Sequence, residues 1–216
     1  MTRVAAITVG GSVIAWRNLG IHSAMRADGV AIAQLGDVVL HINESLPSGL
    51  RHLHLIGCPT RTSHIAGLPV VHVADAQVGE TTAPSHASPQ LALRIVGVDH
   101  VVVLADDVRA TCSEIEQQSG APLKRVKEGD RGVQGFHRWG SVILEVVERR
   151  LVAPSDLATT ATYWGLVVVV DQLDEATAHL GPDVIGATRS AVQPGRRIAT
   201  VRSGAGLGVP LALMSR

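Results

Sequence analysis

Short apolar runs, broken by glycine, proline and aspartate, set the rhythm of this chain. Residues 3–9 read as a strand stopped by Gly10 and Gly11. Ser12 then stands where a hydroxyl can accept from the free amides of a first helical turn. A short stripe of Val13, Ile14, Trp16 and Leu19 follows it, and Gly20 closes that helix. Extended runs come next at 31–35 and 38–42, around a turn at Gly36 and Asp37. Residues 50–56 form another, in which His52 and His54 share a face because strand side chains alternate, and 68–73 a further short one. From 76 to 90 the composition shifts to Gly, Thr, Pro, Ser and His, which reads as a linker.

The same grammar returns downstream. A run at 91–96 is read as a strand of its own, and 98–103 as the next one. Val108, Cys112 and Ile115, spaced by four and three, predict a helix over 106–118 with one buried side. Asp106 or Asp107 would cap it, and Ser119 and Gly120 end it. Three strands are expected at 123–126, 133–139 and 142–147, hinged at 128–130 and 140–141. After a connector at 151–162 the pattern repeats. A strand at 165–170 leads to a helix stripe of Leu173, Ala176 and Leu180, ended by Gly181, and to strands at 184–185, 197–201 and 209–214.

A strand–helix–three-strand unit thus recurs at 3–42, 98–148 and 164–214, and a repeat fixes a fold more firmly than any single element. The expected class is α+β, with repeated βαβββ units forming a curved mixed sheet. Residues 1–90 would be an N-terminal region holding a degenerate unit and the linker, and 91–216 a domain made of two units. Within 49–93 only the first strand of a fourth copy is clear.

The 216 residues can bury a sizeable core, and 46% hydrophobic with 18% charged is a globular composition. Aromatics are only 2%, so that core falls to Val, Leu, Ile and Ala. Basic and acidic residues number 19 each, leaving no charge footprint for nucleic acid. Cys58 and Cys112 lie far apart without a C-x-x-C spacing, so a reduced, cytoplasmic setting is expected. The first residues lack a signal-peptide build, and no apolar run nears the roughly 20 residues that span a bilayer.

The runs Val98-Asp99-His100-Val101-Val102-Val103, Pro122-Leu123-Lys124-Arg125-Val126 and Ile143-Leu144-Glu145-Val146-Val147 resemble the vicinal-oxygen-chelate superfamily. So do Trp164-Gly165-Leu166, Asp171-Gln172-Leu173-Asp174 and Gln193-Pro194-Gly195-Arg196-Arg197 in the last unit. The superfamily includes glyoxalase I and bleomycin-resistance proteins, and the likeness is to its glyoxalase-like members. It covers about 95–214, and 3–42 more weakly. It implies a ligand bound inside a curved sheet and up to two metal ligands per unit, on the first and last strands. Those places match His100 and Glu145 in one unit, and Gly165 and Ala212 in the next, where neither residue can bind a metal. A catalytic divalent site takes three protein ligands and an open position. Aligning the N-terminal copies puts His41 at the glutamate's place and His52 at the histidine's. The metal candidates are therefore His100, Glu145, His41 and His52.

The remaining candidates follow from the side chains. A carboxylate within the run Val-Ile-Leu-Glu-Val-Val is costly unless it is paired or lines a wet cavity. Burial would raise the pKa of Glu145 and suit it to general-base work. His137 should face opposite to Phe136 and either lines the cavity or faces water. Arg196 and Arg197 point to opposite faces of a strand, so at most one enters the cup. Arg197 is taken as the one able to grip a carboxylate. Trp139 and Trp164 stand at strand ends, where they stack on a ligand or pack the core. The Gly-rich segment 203–208 leads into no helix, so a phosphate cradle is not supported.

The resulting expectation is a glyoxalase-like protein that binds a small metabolite, with Glu145 and His100 as catalytic candidates. His137, Arg197, Trp139 and Trp164 would be ligand contacts, and the family-type metal site is incomplete. One alternative is a lyase, isomerase or dioxygenase using Zn, Ni, Mn or Fe on His100 and Glu145 with the N-terminal histidines. Another is an interaction module whose catalytic parts have decayed. The expected partner is a small molecule, without nucleic acid or membrane, and a homodimer is left open.

Overall fold

A computed structural model describes residues 1–75, 93–129, 132–154 and 158–216. The first stretch runs β1 (Arg3–Gly10), α1 (Val13–Asn18), β2 (Ala24–Met25), β3 (Ala31–Leu35) and β4 (Val38–Asn43). It continues with β5 (Gly49–Ile56), β6 (His64–Ile65) and β7 (Leu68–His72). These strands make a seven-stranded sheet in the order β2-β3-β4-β1-β5-β7-β6. The second stretch runs β8 (Ile95–Ala105), α2 (Val108–Ser119), β9 (Leu123–Gly129), β10 (Gly132–Trp139), β11 (Val142–Glu148) and α3 (Arg149–Val152). It ends with β12 (Thr162–Val170), α4 (Leu173–Leu180), β13 (Arg189–Ser190), β14 (Arg197–Thr200) and β15 (Leu211–Ser215). Its sheet has eight strands, β13-β14-β15-β12-β8-β11-β10-β9.

Both sheets share one plan. An antiparallel pair, β1 with β5 or β8 with β12, sits at the centre. Each central strand has a parallel neighbour on its other side: β4 and β7 in one sheet, β11 and β15 in the other. The α+β class and the repeated unit are as the patterning implied. The fourth copy is fuller than its sequence suggested: β5, β6 and β7 form it, with no helix between β5 and β6.

Other boundaries moved. The run at 91–96 is no separate strand in its described part, because β8 starts at Ile95 and continues for 11 residues. The expected strand at 184–185 shrinks to a single bridge between Ile185 and Val201, while β13 pairs with β14 instead. The linker read at 76–90 and the hinge residue Asp130 lie outside the described residues.

Local chemistry explains the helices. Asp107 caps α2, its Oδ1 accepting from the Ala110 amide at 2.9 Å, and Gly120 ends it at φ +67°. Asp106 is taken up by Arg149, whose buried guanidinium also donates to Thr162 Oγ1 and the Thr160 carbonyl. Val108, Cys112 and Ile115 are buried as their spacing predicts, and α2 lies over β10 and β11. In α1 only part of the expected stripe is buried: Val13, Trp16 and Leu19 are inside and Ile14 is 64% exposed.

One hydrophobic cluster joins the two sheets. It holds Leu53 and Leu55 of β5, Val101 and Val103 of β8, and Leu166 and Val168 of β12. Tyr163 Oη donates to the Pro69 carbonyl at 3.1 Å across this junction. Alternation turns His100, Val102 and Leu104 to the other face of the eight-stranded sheet, away from that core. Two small apolar clusters lie on this second face, Val102 with Leu104 and Val147, and Val167 with Ala212 and Met214. The site occupies the same face.

Candidate functional site

Strands β8 and β11 run side by side and parallel, with Ile143 opposite His100 and Glu145 opposite Val102. Two residues that are 45 positions apart in the chain are thereby brought to one face. His100 Nε2 lies 3.3 Å from Glu145 Oε2. Gln134, on β10, donates its amide to Glu145 Oε1 at 3.1 Å.

The other nitrogen of His100 meets a residue that alternation alone would send to the opposite face. The β8–β12 register steps from Val167↔His100 to Val168↔Val98, leaving Asp99 as an extra residue. Such a bulge re-aims a side chain. Asp99 Oδ2 accepts from His100 Nδ1 at 2.8 Å, and Arg196 Nη1 donates to Asp99 Oδ1 at 2.5 Å. Gln193, from the same β13–β14 turn, approaches Oδ2 at 3.3 Å.

Burial alone would push the Asp99 carboxyl up, but the His100 imidazole and the Arg196 guanidinium outweigh it and bring it down to about 2. Glu145 moves the opposite way. Burial raises its pKa, the Asp99 charge adds to that, and His100 and Lys127 only partly oppose it. With Nδ1–H committed to Asp99, a neutral His100 turns a bare lone pair toward Glu145. One proton, on Glu145 or on Nε2, makes the 3.3 Å contact attractive; with none, a carboxylate faces a lone pair. The arrangement can therefore hold a single proton at the Glu145–His100 contact and pass it on.

This pair borders a cavity of about 690 Å³. Phe136, Ile143, Ile198 and Met214 supply apolar wall. Lys124, Arg125, Lys127 and Arg138 come from the β9–β10 side, and Arg189 from β13. The register puts Arg125 opposite Phe136 and Lys127 opposite Gln134, on the face that carries Glu145.

The other candidates lie elsewhere. Arg197 does not enter the cup: it is exposed and ion-paired with Asp174 of α4 at 2.7 Å, and its neighbour Arg196 takes the inward place. His137 borders the cavity only from beneath. Its side chain is buried on the α2 side and Nδ1 donates to the Ala121 carbonyl at 3.0 Å, with burial holding its pKa down. Trp139 is fully buried in the core, and Trp164 is the extra residue of a bulge in β12, 38% exposed and outside the cavity lining.

His41 and His52 belong to the seven-stranded sheet, on either side of Thr8 in the register. His41 meets His54 edge to face with ring centroids 4.9 Å apart, and His54 Nε2 shares a hydrogen bond with Thr8 Oγ1 at 2.8 Å. Burial lowers the pKa of all three histidines, that of His54 to about 4.

A divalent cation, which the resemblance implies, would find two donors at the site, His100 Nε2 and Glu145. At Gly165 a Cβ would collide with the Pro210 carbonyl, and Ala212 is packed against Val167 and Met214. Among the described residues no group of three or more His, Cys, Asp or Glu could hold a metal ion. These residues do not fit a three-donor centre.

Asp99 and Gln134 escaped the reading of the sequence, which weighed Arg196 against Arg197 and chose the latter. Asp99 stands beside His100, yet only the bulge turns it inward, and a bulge leaves no mark in apolar alternation.

No family model and no curated protein matches the chain. Solved structures do. A mutant of 4-hydroxymandelate synthase from Streptomyces coelicolor superposes with a TM-score of 0.66 at 12% identity, over 99% of this chain and 92% of that one. BphC, a halotolerant catechol dioxygenase, gives 0.66 at 11%, over 99% and 86%. A xylose isomerase-like TIM barrel/4-hydroxyphenylpyruvate dioxygenase fusion protein gives 0.62 at 10%, over 99% of this chain and 48% of that one. All three matches extend over both sheets, and with the paired βαβββ units they show that this chain has the vicinal-oxygen-chelate fold.

Proposed function

We propose that this chain binds a small metabolite in the cavity of the eight-stranded sheet and that Glu145 and His100 exchange one proton with it. The observation that carries this reading is the Glu145–His100 contact at the cavity wall, which needs one shared proton, with Asp99 fixing the imidazole from behind. A carboxyl whose pKa burial raises, aimed into a ligand-sized space, suits general acid–base work. The relatives in fold are named for dioxygenase and synthase activities. The donor set described above sets this chain apart from a three-ligand metal centre, so no step is assigned to a metal.

The test screens a metabolite library by thermal shift on the wild-type chain and on Ile143→Trp, which fills the cavity. Compounds that stabilise the wild type and not Ile143→Trp are expected, and their effect should weaken in Glu145→Gln. Protein purified without chelator should carry no stoichiometric Zn, Ni, Mn or Fe. A full equivalent of metal that disappears in His100→Ala and Glu145→Ala would overturn the proton-exchange reading in favour of a metal enzyme. A library without any compound sensitive to Ile143→Trp would leave only an interaction module.

A further inference from the structure

The cations around the cavity identify the class of ligand, on the reading that the cavity is the binding site. Basic and acidic residues are equal in number in the chain, yet five basic side chains border this one space. Glu145 is the single carboxylate among the described lining residues, and burial favours its neutral form. Several arginines elsewhere are matched, among them Arg3 with Asp75, Arg109 with Glu128, Arg149 with Asp106 and Arg197 with Asp174. Lys124, Arg125, Lys127, Arg138 and Arg189 form no close ion pair among the described residues: Lys127 acts on Glu145 only through its charge, and Arg138 donates only to the Ser141 carbonyl.

Their placement is two-sided. Arg125 and Lys127 lie on β9, at one edge of the sheet, with Arg138 on the adjoining β10. Arg189 lies on β13, at the opposite edge, in register with Ile198, which is itself in register with Met214 on the cavity face. The curved sheet thus brings a cationic lip from each edge to a single cavity, with Phe136, Ile143 and Met214 between the lips. Like charges gathered without partners repel one another, and an anion placed among them relieves that repulsion.

We infer that the ligand is an organic dianion with an apolar middle. One anionic group would meet Arg125, Lys127 and Arg138, and the other Arg189, while the body of the ligand lies beside Glu145 and His100. Carboxylate and phosphate share this chemistry, and guanidinium groups take either in a two-pronged grip.

Calorimetric titration of the full chain with adipate, 4-phosphonobutyrate and butyrate tests it. At least one dianion should bind about tenfold or more tightly than butyrate, the gain of one added charge-assisted contact. Its affinity should fall by about tenfold between low and high salt, as exposed charges are screened. Adipate or 4-phosphonobutyrate as the tighter probe distinguishes a dicarboxylate from a phosphorylated ligand. Arg189→Gln and the double variant Arg125→Gln/Lys127→Gln change two exposed side chains and a half-buried one, and each should remove most of the dianion preference. Equal binding of butyrate and both dianions, no binding of either dianion, or a preference that survives both variants would overturn the inference. Uncharged library compounds blocked by Ile143→Trp would leave the cavity reading intact while sinking the dianion. Dianion binding that persists in Ile143→Trp would instead sink the cavity reading.

Discussion

Asp99 shows at the scale of one residue how stability and chemistry are tied at this site. Its side chain is only 9% exposed, yet it is ionised, because Arg196 and His100 both donate to it. The folded carboxyl titrates at about 2 against an ordinary 3.8, which corresponds to on the order of 2 kcal/mol of stability. A depressed carboxylate contributes its share above the unfolded pKa and loses it as pH falls through the folded one. Asp99→Asn should therefore destabilise the chain by on the order of 2 kcal/mol near neutral pH in urea unfolding. The gap from wild type should narrow between about pH 4 and pH 2. A gap that stays constant with pH would show that Asp99 acts through shape and not charge. His100 and Glu145 were legible beforehand, because each stands at a regular place in an alternating strand and pairing needed only adjacent strands. Asp99 and the exchange of Arg196 for Arg197 were not, since a bulge and a turn decide them and neither alters the hydrophobic pattern.

At the scale of elements, the packing of α2 on β10 sets how firmly the floor of the cavity is held. Val108, Cys112 and Ile115 announced the buried side of α2, and the structure keeps all three inside. The sequence did not reveal what they touch. Gly135 lies in the middle of β10, and a Cβ there would run into Cys112 Sγ. Cys112 is fully buried, with burial pushing its thiol up to about 11, so it behaves as a small apolar side chain. Gly135→Ala should cost about 1–3 kcal/mol in chemical unfolding, the usual penalty for overfilling a packed site. Cys112→Ala empties the space into which that methyl would go, so the double variant should be less destabilised than the sum of the two singles. Simple additivity would mean that helix and strand are not in contact there. The reduced fourth unit was illegible for a related reason: without a helix between β5 and β6 it carries no 3.6-residue period to detect, only strands of two and five residues after the first.

For the molecule as a whole, a repeated unit suggests two halves, while the apolar core treats them as one. Leu53, Leu55, Val101 and Leu166 sit in a single cluster, and burial of each such side chain contributes about 1.5–3 kcal/mol. Pulling the sheets apart would expose apolar side chains on both partners at once. It would also strand Tyr163, whose hydroxyl reaches the Pro69 carbonyl and whose pKa burial drives upward. Close backbone contacts add to this, since Gly36, at φ +68°, leaves no room for a Cβ against the Val96 carbonyl. The two sheets should then unfold together. Trp16 and Trp139 are both fully buried, one beside the seven-stranded sheet and one in the eight-stranded sheet, so each reports on its own part. With Trp164 of β12 replaced by Phe in both backgrounds, Trp139→Phe leaves Trp16 as the reporter, and Trp16→Phe leaves Trp139. Urea titrations of the two variants, corrected for their stability differences by far-UV circular dichroism on the same samples, should give fluorescence midpoints that coincide with the circular dichroism midpoint in each. A Trp139 transition that precedes the loss of secondary structure would mean that the cavity sheet opens on its own. In that case the 1–90 and 91–216 regions are separate folding units, and their shared core is a docking surface.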